Sequence, residues 1–469
     1  MSTAVPPTRP EDQTPIPLDR TFGTANAAIL LHEGAIHVGG LGPTNGVIEM
    51  TCTPAPRIRW KIDDHHGNGI SVDQRTPDLI IRHRDHDWVL HGHRATTQEG
   101  WINDAQFGGP DARLRCVRVA WMNLPKITGP IVLTEQMPQG HRSRWTGRWQ
   151  LKVDGWHITL DSRPDHTDVT SEARHKRLYV LTHAMEIRRA DNEDFTVDQA
   201  NSLLEQLRIT FSFAFGYWTA PVLPRGYDKD DRVVWERWAA PICEPYRRTA
   251  SAWLYPGRPE DLTELARRAI PALADRSRRG ATRLQMQLAV SSVESGFVEQ
   301  RILTAAPAVE NLSWVRLVVR PQSSQRTHRG WTRDEYKNHT AEDRLRYLLQ
   351  EACIPTDIDP MQFPALAAFT ARDRTDGPTA VTRIRNRLVH PKSAYELSEH
   401  HGQIEEAWLL QRRYLTLLIL HDIGYRGGVV DPMNRVAWDA HPVPWLAGSV
   451  NPSMPLGGNA NRPRRPGRA

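Results

Sequence analysis

The sequence predicts an α+β protein of several domains, with a β-rich N-terminal domain followed by an all-α helical bundle. Three observations carry that prediction. Between about residues 21 and 190, apolar and polar residues alternate with the period of two that strands require. From about Leu262 to Gly424 apolar residues instead recur at intervals of three and four, the spacing of one helix face. The length, 469 residues, exceeds what one compact core holds, so two to three domains are expected.

Residues 1–20 read as a disordered leader, because Pro6, Pro7, Pro10, Pro15 and Pro17 forbid regular helix and little there is apolar enough to bury. Residues 21–195 form the β-rich sensing or docking domain. Ile48/Met50/Cys52 and Ile58/Trp60/Ile62 alternate with polar residues, as a sheet with one wet face demands. The clearest hairpin is Trp149–Val153, Asp154-Gly155, Trp156–Leu160, since Asp-Gly between alternating runs favours a two-residue turn.

A helix should open at Thr196, with Gln199 completing a capping box, and end at Gly216. The stretch from Tyr217 to Tyr255 carries Trp218, Trp235, Trp238 and Trp253 among prolines, and reads as an irregular aromatic connector within residues 196–261. Residues 262–430 hold the helical domain. Its candidate helices run over 262–274, 281–295, 299–318, 341–352, 364–371, 379–389 and 399–422, the last with a wide stripe of Ile404, Ala407, Trp408, Leu415, Leu418 and Ile419. The remainder, 431–469, is a Pro/Gly/Arg-rich tail expected to pack briefly through Trp438 and Trp445.

Composition narrows the function classes. The formal charge is +6, but Arg462, Arg464, Arg465 and Arg468 all lie in the tail, and without them it falls to +2. Overall charge therefore does not by itself announce a nucleic-acid footprint. Cys52, Cys116, Cys243 and Cys353 are far apart and form no Cys-x-x-Cys pair, which argues against a disulfide scaffold or zinc ribbon and for a reducing cytoplasm. No signal-peptide core and no apolar run near the ~20 residues of a membrane span is present. The Walker loop, the dinucleotide glycine fingerprint, the Gly-x-Ser-x-Gly elbow and His-Glu-x-x-His are all missing.

One stretch combines polar residues of catalytic type with a helical apolar stripe. Ala380, Ile384 and Leu388 recur every fourth residue, Arg385, Asn386 and His390 lie on other faces, and Pro391 disfavours helical geometry at His390. A histidine exchanges protons near neutral pH, and an arginine offers a planar, always-charged fork to phosphate oxygens.

The Arg385-Asn386-x3-His390 motif, on a late helix of an all-helical region, resembles the HEPN superfamily, whose members carry Arg-x4–6-His, very often as Arg-Asn-x3-His. The resemblance covers roughly residues 281–424. A β-rich half, a Phe/Trp-rich junction and a helical bundle in that order further look like the ApeA-type anti-phage proteins. The resemblance implies a metal-independent endoribonuclease without cofactor, in a defence or toxin-like role. Arg385 and His390 would be catalytic, with Asn386 fixing the imidazole or holding substrate. The RNA 2′-hydroxyl would attack its own phosphate, leaving a 2′,3′-cyclic phosphate and a 5′-hydroxyl.

On an ideal helix Arg385 and His390 point about 140° apart. They converge only through the long arginine side chain or the helix end, and a homodimer that apposes two motifs, as in many HEPN proteins, is expected. Arg383 and Arg387 would contact the RNA backbone or form the wet side of the helix. Glu310 stands where such bundles place a supporting polar residue. The expected partners are RNA, tRNA among the candidates, and a trigger for the β domain. Two other readings stand beside this one: a HEPN module that binds nucleic acid or a partner without cleaving, and a carbohydrate- or peptide-binding β sandwich with the helices as scaffold.

A His/Asp-rich region, Asp63 to His66 and His83 to His93, offers His91 and His93 at alternate strand positions, but three well-placed metal ligands do not assemble from it, and a polar strand face is the expectation.

Overall fold

The computed structural model describes residues 13–18, 22–63, 76–84, 86–136, 142–247, 252–293, 296–320, 330–371, 373–390, 402–431 and 440–447. The β-rich half is two bodies. The first is a closed barrel of β1 (Ile29–Val38), β2 (Gly42–Thr51), β3 (Arg57–Ile62), β4 (Asp78–His83), β5 (His86–Arg94) and β6 (Glu99–Ile102), paired in the order β1-β2-β3-β6-β5-β4. The alternation at Ile48/Met50 and Ile58/Trp60/Ile62 fills its interior. Trp60 is fully buried and donates its indole N–H to His93 O at 3.2 Å. Gly100 permits this, since a Cβ there would stand 2.7 Å from the indole nitrogen.

The second body is an eight-stranded sheet. Its elements are β7 (Asp104–Phe107), β9 (Cys116–Met122), β10 (Ile131–Gln136), β11 (Arg142–Val153), β12 (Trp156–Ser162), β13 (Leu181–Arg189), β15 (Ala220–Tyr227) and β16 (Val233–Ala239), in the order β10-β11-β12-β13-β9-β15-β16-β7. A short pair, β8 (Arg113–Leu114) with β14 (Phe195–Thr196), sits beside it, and helix α1 (His166–Lys176) crosses from β12 to β13. The Asp154-Gly155 turn forms as expected, with φ of 49° and 74° and Val153 opposite Trp156.

The expectation of one wet face fails for the central strands. In β9, Val117, Val119 and Trp121 are buried on the side of the helices while Ala120 and Met122 are buried towards the barrel. Both faces are covered, so the strand is apolar except for Arg118, which pairs with Glu186, and local alternation cannot reveal this. The connector is corrected for the same reason: β15 and β16 lie within it as strands of the sheet, and Trp235 and Trp238 are fully buried.

Helix α2 (Val197–Phe215) opens with the expected capping box: the Gln199 N–H donates to Thr196 Oγ1 at 3.2 Å and Thr196 N–H to Gln199 Oε1 at 2.9 Å. Gly216 closes it at φ 71°. It packs between the sheet and the helical half, which comprises α3 (Pro259–Ala274), α4 (Arg279–Ser291), α5 (Val298–Trp314) continuing as a π-helical turn over Val315–Val319, α6 (Arg333–Asn338), α7 (Ala341–Glu351), α8 (Pro364–Thr370), α9 (Gly377–Val389) and α10 (Gln403–Ile423). One apolar core runs from the sheet through α2 into α10, so the two halves are not separate globules. Trp149 of β11 donates its indole N–H to Thr263 Oγ1 of α3 at 2.9 Å across that seam. Helix α10 is buried nearly all round, including Trp408, Tyr414, Leu415, Leu418 and Ile419.

The buried carboxylate of Asp422 ties the far end of the bundle together, meeting Arg278, Arg316 and Arg320 at 3.3, 3.1 and 3.4 Å. Burial would raise its pKa, but the three guanidinium groups win and hold it below the usual range. A short hairpin, β17 (Gly428–Val430) with β18 (Ala440–Pro442), and the turn α11 (Pro444–Ala447) follow. Trp445 packs there as expected, donating to Tyr425 O at 2.9 Å, whereas Trp438 and residues 448–469 lie outside the described residues.

Part of the expected leader is ordered. Arg148 and Asp161 form a buried ion pair on β11 and β12, and residues 13–18 complete its hydrogen bonding: the Ile16 N–H donates to Asp161 at 2.8 Å and Arg148 donates to Thr14 O at 2.6 Å. Among the described residues one helix, Val298–Val319, is long and apolar enough to cross a membrane, and it is packed within the bundle against α4 and α10.

Candidate functional site

Helix α9 carries the motif, and its two ends differ in construction. At the start, the Asp376 carboxylate caps the helix, accepting from Thr379 N–H at 3.1 Å and Thr379 Oγ1 at 2.6 Å. Arg346 of α7 grips the same carboxylate through Nε at 2.6 Å and Nη2 at 3.1 Å, and also donates to Thr379 Oγ1 at 2.9 Å. Burial raises the Asp376 pKa, and these hydrogen bonds outweigh it, leaving the group below the ordinary carboxylate range. Gly377 donates its N–H to Thr356 O at 2.7 Å and lies so close to Tyr414 that a Cβ would stand 2.1 Å from the hydroxyl.

The expected apolar stripe then seats the helix. Ala380 and Ile384 are fully buried, Val381 is buried beside them, and Leu388 is half-buried against the core. This fixes the rotation of α9, and with it the direction of the motif residues.

At the other end Arg385 is half-buried while Asn386 and His390 are exposed. Arg385 Nη1 donates to Asn386 Oδ1 at 2.9 Å. His390 N–H donates to Asn386 O at 2.7 Å, the last helical bond, and the chain leaves the helix there at φ −130° and ψ 69°. Pro391, the expected cause, lies outside the described residues. The helix thus ends with an imidazole in solvent and a guanidinium steadied by the neighbouring amide. No side-chain bond between Arg385 and His390 appears among the described residues, in keeping with their angular separation.

The accessory residues are differently engaged. Arg383 pairs with Asp373 at 2.7 Å, and the Arg387 guanidinium lies over the Phe369 ring at 4.8 Å. Glu310 on α5 pairs with Arg344 at 3.2 Å and meets the Tyr336 hydroxyl at 3.4 Å, so its carboxylate is directed to α7 and α6 instead of the motif. Arg346 and Tyr414, which brace the start of α9, were not marked by sequence. Their signal is only the Asp376-x-x-Thr379 cap, and nothing local names the arginine that reads it.

In the barrel the histidines disperse. His91 pairs with Asp78 at 2.8 Å, His93 stacks on Trp101 with centroids 5.5 Å apart, and His83 reaches Glu236 at 3.3 Å. Among the described residues no three His, Cys, Asp or Glu side chains are grouped to hold a metal ion.

The comparisons with known proteins divide along the same lines as the fold. Residues 109–249, the sheet without β7 together with α1 and α2, match the YopA central domain, and residues 281–441, from α4 through α10, match the YopA C-terminal domain. The barrel lies outside both matches. The chain is similar to the SPbeta prophage-derived uncharacterized protein YopA of Bacillus subtilis (strain 168), 25% identical over 292 residues, which is 62% of this chain and 64% of that protein. The chain thus spans somewhat less than two thirds of that relative's length. No solved structure matches.

Proposed function

We propose that the chain is a metal-independent endoribonuclease of the HEPN type, acting in a defence or toxin-like role on RNA inside the cell. The observation that supports it best is the open end of α9, where Arg385, Asn386 and His390 stand together on a helix whose other end is clamped. In this reading His390 accepts the 2′-hydroxyl proton, and Arg385 meets the charge that develops on the phosphate. Asn386, already bonded to Arg385, orients that fork. Two copies of the chain bring two motifs together, because a single ideal helix separates the pair by about 140°. The β-rich half restrains the nuclease until a trigger arrives.

A second reading is a HEPN module that binds nucleic acid or a partner without cleaving. The absence of a side-chain bond between Arg385 and His390 among the described residues favours it, while the engagement of Arg383 with Asp373 and of Arg387 with Phe369 leaves these two cations less available to a phosphate backbone in either reading. Growth on induced expression distinguishes the two. The nuclease reading expects arrest by the wild type and recovery with His390→Ala at equal protein level. Arrest that persists with His390→Ala and Arg385→Ala contradicts it.

A further inference from the structure

A cavity of about 320 Å³ opens at the seam between the sheet and the helical half, where α2, β15, the end of β16 and α4 meet. That size lies at the small end of the range for ligand sites, which favour such seams. Asn201, Leu204, Glu205 and Arg208 line it from α2, and their spacing puts them on one face of that helix. From β16 comes Arg237. Its neighbour Trp238 is packed in the barrel-side core, so Arg237 points to the opposite side, towards α2. Helix α4 adds Arg283, and three guanidinium groups thus line one cavity from three elements.

The carboxylates beside them occupy only part of each fork. Glu205 accepts from Nε and Nη2 of Arg208 at 2.7 and 2.9 Å, and Asp104 of β7 accepts from the same two atoms of Arg237 at 2.8 and 2.7 Å. Nη1 of each arginine lies outside these pairs. Arg237 Nη1 makes one long bond, 3.4 Å, to Asn201 Oδ1. Arg208 Nη1 is buried without an acceptor, although Arg208 is only 9% exposed and its guanidinium is held over the Trp218 ring at 4.8 Å. A buried charged donor is ordinarily paired, so one left over in a cavity wall marks a place for an incoming oxygen. Arg283 is exposed and lies 3.0 Å from the Glu205 oxygen that Arg208 Nη2 also meets, so two guanidinium groups flank one atom. Even with Asp104 counted, three cations answer two carboxylates.

The rim on the other side is apolar. Pro221, Pro224 and Ile242 form it, and Ile242 is 66% exposed. The prolines have no N–H to donate, so they offer a ligand contact area alone. Three forks arriving from three directions suit the three terminal oxygens of a phosphate monoester better than the two of a carboxylate.

We infer that this cavity binds a small phosphate monoester, with its phosphate oxygens against Arg283, Arg237 and Arg208 and its organic body on the rim of Pro221, Pro224 and Ile242. The inference does not depend on the nuclease reading, and its test uses no RNA. The full chain is titrated by calorimetry with phenyl phosphate, benzoate and phenol at one ionic strength. One phenyl phosphate per chain is expected, bound at least tenfold tighter than benzoate, with phenol weaker still. Arg283→Gln should weaken phenyl phosphate at least tenfold. Ile242→Asp, which sets a carboxylate on the rim, should weaken it at least fivefold. Both positions are exposed, so the substitutions leave the core intact. Lys152→Gln, at an exposed cation on β11, should change the affinity less than twofold. The assignment is overturned by any of three results: no saturable binding of phenyl phosphate by the wild type, benzoate bound as tightly, or Arg283→Gln no more damaging than Lys152→Gln.

Discussion

The two ends of helix α9 are built on opposite principles. At Asp376 the carboxylate is fully engaged: it receives two donors from Thr379 and two from Arg346, and Gly377 is pressed against Tyr414. At His390 the helix stops with its last side chains in solvent. The difference separates residues that hold the fold from residues whose side chains face solvent at the helix end. A residue whose hydrogen bonds are complete gains nothing from substrate, whereas an exposed imidazole and amide beside a half-buried guanidinium still have interactions to make.

Substitutions along α9 should therefore separate stability from activity. The largest loss of stability is expected in the middle, where Ile384 is fully buried: Ile384→Ala should cost about 2–5 kcal/mol in urea unfolding, from lost burial plus the cavity left behind. Asp376→Ala should follow at about 1–3 kcal/mol, because it removes a cap and leaves Arg346 with a lost charge-assisted partner. A loss as small as that of a surface residue would mean that the start of α9 is not a clamp.

Between pH 6.5 and 4, above the range where the Asp376 cap titrates, the pH dependence of stability should arise mainly from a histidine pair away from α9. His166 and His183 are buried face to edge, 5.2 Å apart, on α1 and β13. Burial drives both below the ordinary histidine value, His166 to about 4 and His183 well below 6.5. Between pH 6.5 and 4 the unfolded chain then binds protons that the folded chain refuses. Stability should fall as pH drops below 6.5, by about 1.4 kcal/mol per unit for each histidine. A flat profile from pH 7 to 5 in urea titrations would show that the pair is hydrated or protonated in the fold. The smallest effect is expected at Arg383→Ala, within about 0.5 kcal/mol, since its pair with Asp373 is exposed.

The architecture was legible where the signal is local. The Asp154-Gly155 hairpin, the Thr196/Gln199 capping box and the stripe of α9 each follow from neighbours in sequence, and all three formed. Helix α1 was missed because its sequence is polar: only His166, Thr170 and Ala173 are buried, too few for an apolar stripe. The six-residue α6 was missed for its shortness. The division of the β half into barrel and sheet rests on which strands pair over long separations, β1 with β4 and β3 with β6, and no periodicity encodes that. The same holds for Arg208, Arg237 and Arg283, which meet at one cavity from three elements, and for Arg346, which reaches its partner across thirty positions. The motif itself was legible as residue types, but the sequence carried no sign that Arg383 and Arg387 would be engaged within the chain or that Glu310 would face Arg344.

The most direct test of the open end of α9 as a site of chemistry is cleavage of labelled tRNA or total RNA by the purified full chain in EDTA, with wild type, His390→Ala and Asp376→Asn compared at equal folded concentration. Cleavage by the wild type that leaves 2′,3′-cyclic phosphate ends, falls at least a hundredfold in His390→Ala and survives in folded Asp376→Asn is the predicted result. Equal cleavage by wild type and His390→Ala would contradict it.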